Sequence, residues 1–179
     1  GSFRENIEFS KAMLHVNDNH STLHIMGLLS DGYVHSSTQH FRELIKMAHD
    51  NGVESVKVHA FLDGRDVDEG TGVQYIESMN EYLKSMGYSE IASVIGMQYP
   101  MDREAKWDKT QVAYRMLLKG DNATYAKDAV QQVKDFYGKI IGYGNMLHGI
   151  VWNPKYNKCI DNNKLSLLFN KLKYWIYNR

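Results

Sequence analysis

One pattern recurs three times in the first two thirds of this chain: a short apolar run, a polar loop, then a segment with helical periodicity. The first run is Thr22-Leu23-His24-Ile25-Met26-Gly27-Leu28-Leu29, broken by Ser30-Asp31-Gly32. Its density and short length suit a strand buried on both faces. The helix that follows is expected from about Thr38 to Asn51. Phe41, Leu44, Ile45 and Ala48 share one face there, and Gly52 stands where a helix stops. Ser55 to Phe61 reads as the second strand and Asp63-Gly64-Arg65-Asp66 as its loop. Thr71 to Met86 reads as its helix, with Val73, Ile76, Met79, Leu83 and Met86 inward. The third unit is a strand from Ile91 to Ile95, a loop from Gly96 to Asp102, and a helix from about Glu104 to Leu118. Three such units predict an α/β fold, a mostly parallel sheet flanked by helices. Right-handed crossovers then set all three post-strand loops along one edge of that sheet.

Outside this repeat the signals are weaker. A helix is expected from about Arg4 to Val16 and another over residues 124–137. Beyond Gly138 the chain reads as a small, irregular, β-containing part. Short strands are expected at Leu147 to Trp152, Asn157 to Ile160 and Leu165 to Phe169, with a turn at Asn153-Pro154. Charge changes near Asn153. Lys155, Lys158, Lys164, Lys171, Lys173 and Arg179 face a single acid, Asp161, in a stretch that also holds six asparagines. The expected organisation is an α/β domain over residues 1–152 and a basic, Asn-rich segment over 153–179 that belongs to the same domain.

Composition excludes some classes. Lys plus Arg and Asp plus Glu are 21 each, so bulk positive charge offers no nucleic-acid footprint. No run approaches the roughly 20 apolar residues of a membrane span, and no secretory h-region is visible. The lone Cys159 excludes an internal disulfide framework and fits a reducing, cytoplasmic setting.

Ligands of open α/β sheets bind beyond the carboxyl ends of the strands. The loops there supply His35, Arg65, Asp66 and Arg103. Arginine is a fork for carboxylate or phosphate. A helix start beside His35 adds backbone N–H groups for an anion, and a carboxylate such as Asp66 can take a proton from a hydroxyl. These residue types point to a small, anionic, hydroxylated ligand. Plainer readings stand beside this one. Asp-Gly is a common turn dipeptide, a loop histidine often only faces solvent, and Arg65 and Asp66 can pair or cap a helix. His24 and His59 lie inside strands and read as packed residues, while His15, His20, His40 and His49 read as helix or surface positions. No histidine pair has metal-ligand spacing, and no P-loop, GxGxxG or GxSxG motif is present.

At these same loops the chain resembles a known family. Leu23-His24-Ile25-Met26-Gly27-Leu28-Leu29-Ser30-Asp31-Gly32-Tyr33-Val34-His35-Ser36 is similar to the LHLMGLLSDGGVHSH segment of cofactor-independent phosphoglycerate mutases. Val58-His59-Ala60-Phe61-Leu62-Asp63-Gly64-Arg65-Asp66-Val67 resembles that family's VHAFLDGRDV. Gly96-Met97-Gln98-Tyr99-Pro100-Met101-Asp102-Arg103-Glu104-Ala105-Lys106-Trp107 resembles its GRYYAMDRDKRW. The three segments keep family order and spacing, and the likeness fades beyond about residue 120.

The resemblance implies a part of a two-domain enzyme of glycolysis. One family domain carries two manganese ions and a serine that accepts the phosphoryl group. The other, inserted into it, holds the glycerate while 3- and 2-phosphoglycerate interconvert, and this chain resembles that inserted domain alone. By this analogy His35, Arg65, Asp66 and Arg103 bind the substrate, and Asp66 serves as base and acid for its hydroxyls. No cofactor or metal is then expected in this chain. Its expected partners are phosphoglycerate and the missing metal-binding domain, and the chain alone is expected to be inactive as a mutase.

Departures from the family pattern carry the rival expectation. Met97 stands where the family has an arginine, Tyr33 replaces a glycine, and Ser37 replaces the second histidine of VHSH. The family's FRPDR motif has no match in Lys171 to Arg179. These losses favour a binding or interaction module that keeps the fold without catalysis.

Overall fold

The fold is given by a computed structural model that describes residues 2–121, 123–139 and 150–152. Helix α1 spans Ile7–Asp18, strand β1 Leu23–Leu28, α2 Thr38–Asp50, β2 Val56–Leu62, α3 Gly72–Ser85, β3 Ser93–Gly96 and α4 Trp107–Lys119. All three strand–loop–helix units of the sequence pattern therefore form. Strand β4 (Thr124–Ala126), helix α5 (Ala129–Lys139) and strand β5 (Ile150–Trp152) follow.

Local chemistry explains where the expected ends shift. Helix α1 starts at Ile7 rather than Arg4 because the Asn6 side chain caps it, accepting from the Glu8 amide at 2.9 Å. Helix α4 starts at Trp107 rather than Glu104. The Asp102 carboxylate accepts from the amides of Glu104 (3.2 Å) and Lys106 (2.8 Å), and Ala105 sits at φ 58°, outside any helical path. The helix expected over 124–137 is corrected: residues 124–126 are a strand, and Asp128 caps the later helix by accepting from the Gln131 amide at 3.1 Å. The expected strands at Asn157 to Ile160 and Leu165 to Phe169, and the whole 153–179 segment, lie outside the described residues.

The sheet order is β1-β2-β3-β5-β4. β1 runs parallel to β2 with Leu23 opposite Val56 and Leu28 opposite Phe61, and β2 runs parallel to β3 with Leu62 opposite Gly96. β5 is antiparallel to β3 and parallel to β4. Alternation along the strands feeds two cores. Ile25, Val58, Ala60, Leu62 and Val94 face Met13 of α1, Phe41 and Ile45 of α2, Ile76, Met79 and Leu83 of α3, and Val133 of α5. Leu28, Phe61, Ile95 and Met97 face Ala113, Met116 and Leu117 of α4. Each Val, Leu, Ile, Phe or Met among them contributes about 1.5–3 kcal/mol when fully buried. With both faces covered, the parallel strand ends are rigid supports for the loops beyond them.

The face under α4 also holds a row of polar groups. His24 Nδ1 and His59 Nε2 are 2.9 Å apart, and His59 Nδ1 lies 2.7 Å from Ser93 Oγ. The two rings stack with centroids 5.2 Å apart. Both histidines are packed strand residues, as the sequence implies. Burial first, then the Lys57 charge, lowers His24 to about 4. Burial, then His24 and Lys57, lowers His59 to about 3. Both rings are therefore neutral at pH 7, which suits a hydrogen-bonded row inside a core.

Candidate functional site

Parallel register brings the three loops to one edge. The ladder runs on past the strands: the Leu29 amide donates to Phe61 O at 2.9 Å, and the Met97 amide donates to Leu62 O at 3.0 Å. Each loop therefore leaves the sheet beside its neighbour.

The loop after β2 is organised by one carboxylate. Asp63 Oδ1 accepts from the amides of Gly64 (2.7 Å), Arg65 (2.9 Å) and Asp66 (3.0 Å). Asp63 Oδ2 accepts from Ser30 Oγ at 2.6 Å across the β1–β2 boundary. Only 4% of Asp63 is exposed. Burial by itself raises its carboxyl, but the Ser30 hydroxyl and the amides of Asp66, Arg65 and Gly64 outweigh it and hold the group below its ordinary value.

The loop after β1 is tied to that turn. Gly32 lies against Asp66, so closely that a Cβ on it would stand 2.9 Å from Asp66 Cβ and 3.0 Å from Asp66 O. The Tyr75 hydroxyl of α3 donates to Asp31 Oδ1, and burial together with this carboxylate pushes the phenol up to about 12. The loop closes where the Thr38 amide donates to Ser30 O at 2.9 Å. Ser37, the residue in place of a family histidine, is buried and caps α2 by accepting from the Gln39 amide at 3.2 Å. Tyr33 adopts φ 58° and points outward, 65% exposed. It therefore does not fill the space between the loops.

The four residues singled out in the sequence hold different positions. Asp66 is half-buried, and its Oδ2 atom is buried with no hydrogen-bond partner among the described residues. Arg65, next to it, is exposed. His35 is exposed on the first loop and Arg103 on the third. The structure thus joins the loop that carries His35 to Asp66 through Gly32. No hydrogen bond or ion pair links Arg103 to the other three among the described residues. Met97 is 2% exposed, enclosed by the cluster of Leu28, Phe61, Ile95, Tyr99 and Met116. The Lys171 to Arg179 stretch lies outside the described residues.

Two residues of this edge escaped the sequence reading, Ser30 and Asp63. The only signal for Asp63 was its Asp-Gly dipeptide, and a turn is indeed what it builds. Nothing local in the sequence shows that its second oxygen reaches a serine 33 positions away. Among the described residues no group of three or more His, Cys, Asp or Glu side chains is placed to hold a metal ion. Nor is any helix among the described residues long and apolar enough to cross a membrane.

Comparison with known proteins gives one consistent result. The family model described as the BPG-independent PGAM N-terminus matches residues 1–170, well past the point near residue 120 where the motif likeness fades. The 2,3-bisphosphoglycerate-independent phosphoglycerate mutase of Staphylococcus haemolyticus is 46% identical over 126 residues, covering 70% of this chain and 25% of that protein. The enzyme of the same name from Clostridium botulinum is 41% identical over 134 residues, covering 74% and 26%. A crystal structure of Leishmania mexicana phosphoglycerate mutase at low cobalt concentration superposes with a TM-score of 0.80 at 25% identity, covering 88% of this chain and 30% of that one. The chain spans about a quarter of the length of the relatives it matches.

Proposed function

This chain belongs to the BPG-independent phosphoglycerate mutase N-terminal family, and from that premise we propose that its loop edge holds the glycerate part of a phosphoglycerate. The single observation that carries the proposal is the orphaned Oδ2 of Asp66. A buried carboxylate oxygen without a donor costs free energy. A hydroxyl of the glycerate supplies that donor, and the same contact lets Asp66 take the hydroxyl proton as the oxygen attacks a phosphoryl group, and return it later. Arg65 offers its planar fork to the substrate carboxylate. His35 and Arg103, on the flanking loops, face the phosphate.

The nucleophile and metals of the reaction belong, in this reading, to the family's other domain, carried on the same polypeptide or met in trans. This chain alone binds and orients but does not turn over, and its setting is the cytoplasm. A second reading, a binding module without catalysis, is favoured by Met97: the position of the family arginine is sealed inside an apolar cluster.

Heat protection by 3-phosphoglycerate tests the proposal. The ligand raises the melting temperature of the wild-type chain, and Arg65→Ala abolishes the rise. An equal rise in both proteins overturns it. Calorimetric titration separates the two readings, since binding that disappears in Asp66→Asn supports the substrate site and counts against the inert module.

A further inference from the structure

We propose that Asp63, acting with Ser30, is the positioning residue of this edge. One carboxylate sets the Arg65–Asp66 turn and ties it to the loop that carries His35. The inference rests on the reading that this edge binds a phosphoglycerate, and deepens it.

The geometry gives Asp63 no other task. Its Oδ1 draws in three consecutive amides, those of Gly64, Arg65 and Asp66, at 2.7–3.0 Å. Three donors on one oxygen fix the backbone from which both site side chains project. The oxygen is anionic, so these are charge-assisted contacts, stronger than neutral ones. Its Oδ2 is taken by the Ser30 hydroxyl at 2.6 Å. Ser30 in turn accepts the Thr38 amide through its carbonyl at 2.9 Å, at the start of α2. A continuous path of short contacts therefore runs from the Arg65–Asp66 turn, through Asp63 and Ser30, to the end of the His35 loop. Both members are nearly inaccessible, Asp63 at 4% and Ser30 at 1%. Both Asp63 oxygens are already taken by protein donors, unlike Asp66 Oδ2, so Asp63 acts only through its neighbours.

Two adjacent ties make the arrangement a brace rather than a single bond. Gly32 rests on Asp66, and Tyr75 holds Asp31. Those contacts fix how far apart the loops sit. The Ser30–Asp63 pair fixes the register of one turn against the other, because it joins the last buried polar groups of two neighbouring parallel strands.

The test uses the whole chain and two separate readouts. In the first, backbone amide shifts are followed by NMR while pH is lowered. The amides of Gly64, Arg65 and Asp66 should titrate together, with a midpoint below that of an ordinary carboxylate. Ser30→Ala should raise that midpoint, since a donor to the anion is lost, and Asp63→Asn should abolish the shared titration. Amides that titrate independently, or a midpoint unmoved by Ser30→Ala, would overturn the inference. In the second readout, 3-phosphoglycerate affinity is measured by calorimetry. Asp63→Ala should weaken it about tenfold, the scale of one lost charge-assisted hydrogen bond. Asp63→Asn, which keeps an oxygen for the amides, should restore most of it. Equal affinity in wild type and Asp63→Ala counts against positioning. If Asp63→Ala does not fold, Asp63→Asn and Ser30→Ala decide the matter through the amide titration. Failure of the wild-type chain to bind 3-phosphoglycerate would overturn the glycerate reading instead, while the amide titration still decides the role of Asp63.

Discussion

Gly32 and Asp66 touch where a side chain on the first has no room: an added Cβ would stand 2.9 Å from Asp66 Cβ and 3.0 Å from Asp66 O. Because the second neighbour is backbone, the clash cannot be relieved by a rotamer change. Gly32→Ala should therefore push the two loops apart and destabilise the chain by ~1–3 kcal/mol, the usual scale of overpacking. Chemical denaturation measures the stability loss, and 3-phosphoglycerate titration should show weaker binding. Unchanged values in both would mean that the loops do not need this contact.

Tyr33 makes the opposite case, a side chain with space but with an unfavourable backbone. At φ 58° a non-glycine residue pays roughly 1 kcal/mol. Its ring is largely exposed, so little packing repays that. Tyr33→Gly should leave stability unchanged or raise it by up to about 1 kcal/mol, whereas Tyr33→Val, β-branched, should lower the melting temperature. Equal melting of the two variants would contradict the backbone argument.

Met97 allows a test of what the apolar cluster tolerates. Putting the family's arginine back as Met97→Arg buries a guanidinium among Leu28, Phe61, Ile95 and Met116. An unpaired buried charge of this kind costs about 3 kcal/mol or more. The expected result is a large stability loss with no gain in 3-phosphoglycerate affinity. A stable variant that binds more tightly would show that the third loop can open toward the ligand.

The neutral histidine row predicts acid sensitivity. Unfolded, each histidine takes up its proton near 6.5; folded, His24 does so at about 4 and His59 at about 3. Between those values the unfolded chain binds more protons, so stability falls as pH falls. The contribution is intact above about pH 6.5 and is lost progressively toward pH 3. Melting temperatures at pH 7 and pH 5 provide the check. His24→Gln should narrow the difference between them, and an identical pH dependence in variant and wild type would refute this origin.

The core of this fold was legible because its physical cause is local. A dense apolar run, a polar break and a segment of period 3.6 are each visible within a few residues, and the three units appear where that pattern puts them. The same logic failed at Thr124–Ala126, which joins a helix-like stretch in sequence but a sheet edge in space. Pairing with β5 decides that segment, and pairing is not a local property. The four candidate residues were chosen by type and loop position, which are local properties too, and they lie on the loops that pattern assigns them.

What the sequence determined by itself was the alternation of strands and helices, hence the sheet edge at which the three post-strand loops gather, and the chemical character of the side chains offered there. Tertiary structure alone decided which of them meet. Asp66 is enclosed by Gly32, Asp63 is shared between its own turn and Ser30, and Met97 is sealed under α4. Each of these follows from contacts between segments tens of residues apart. Such contacts depend on parallel register and on how closely two backbones can approach, neither of which any single stretch of sequence encodes.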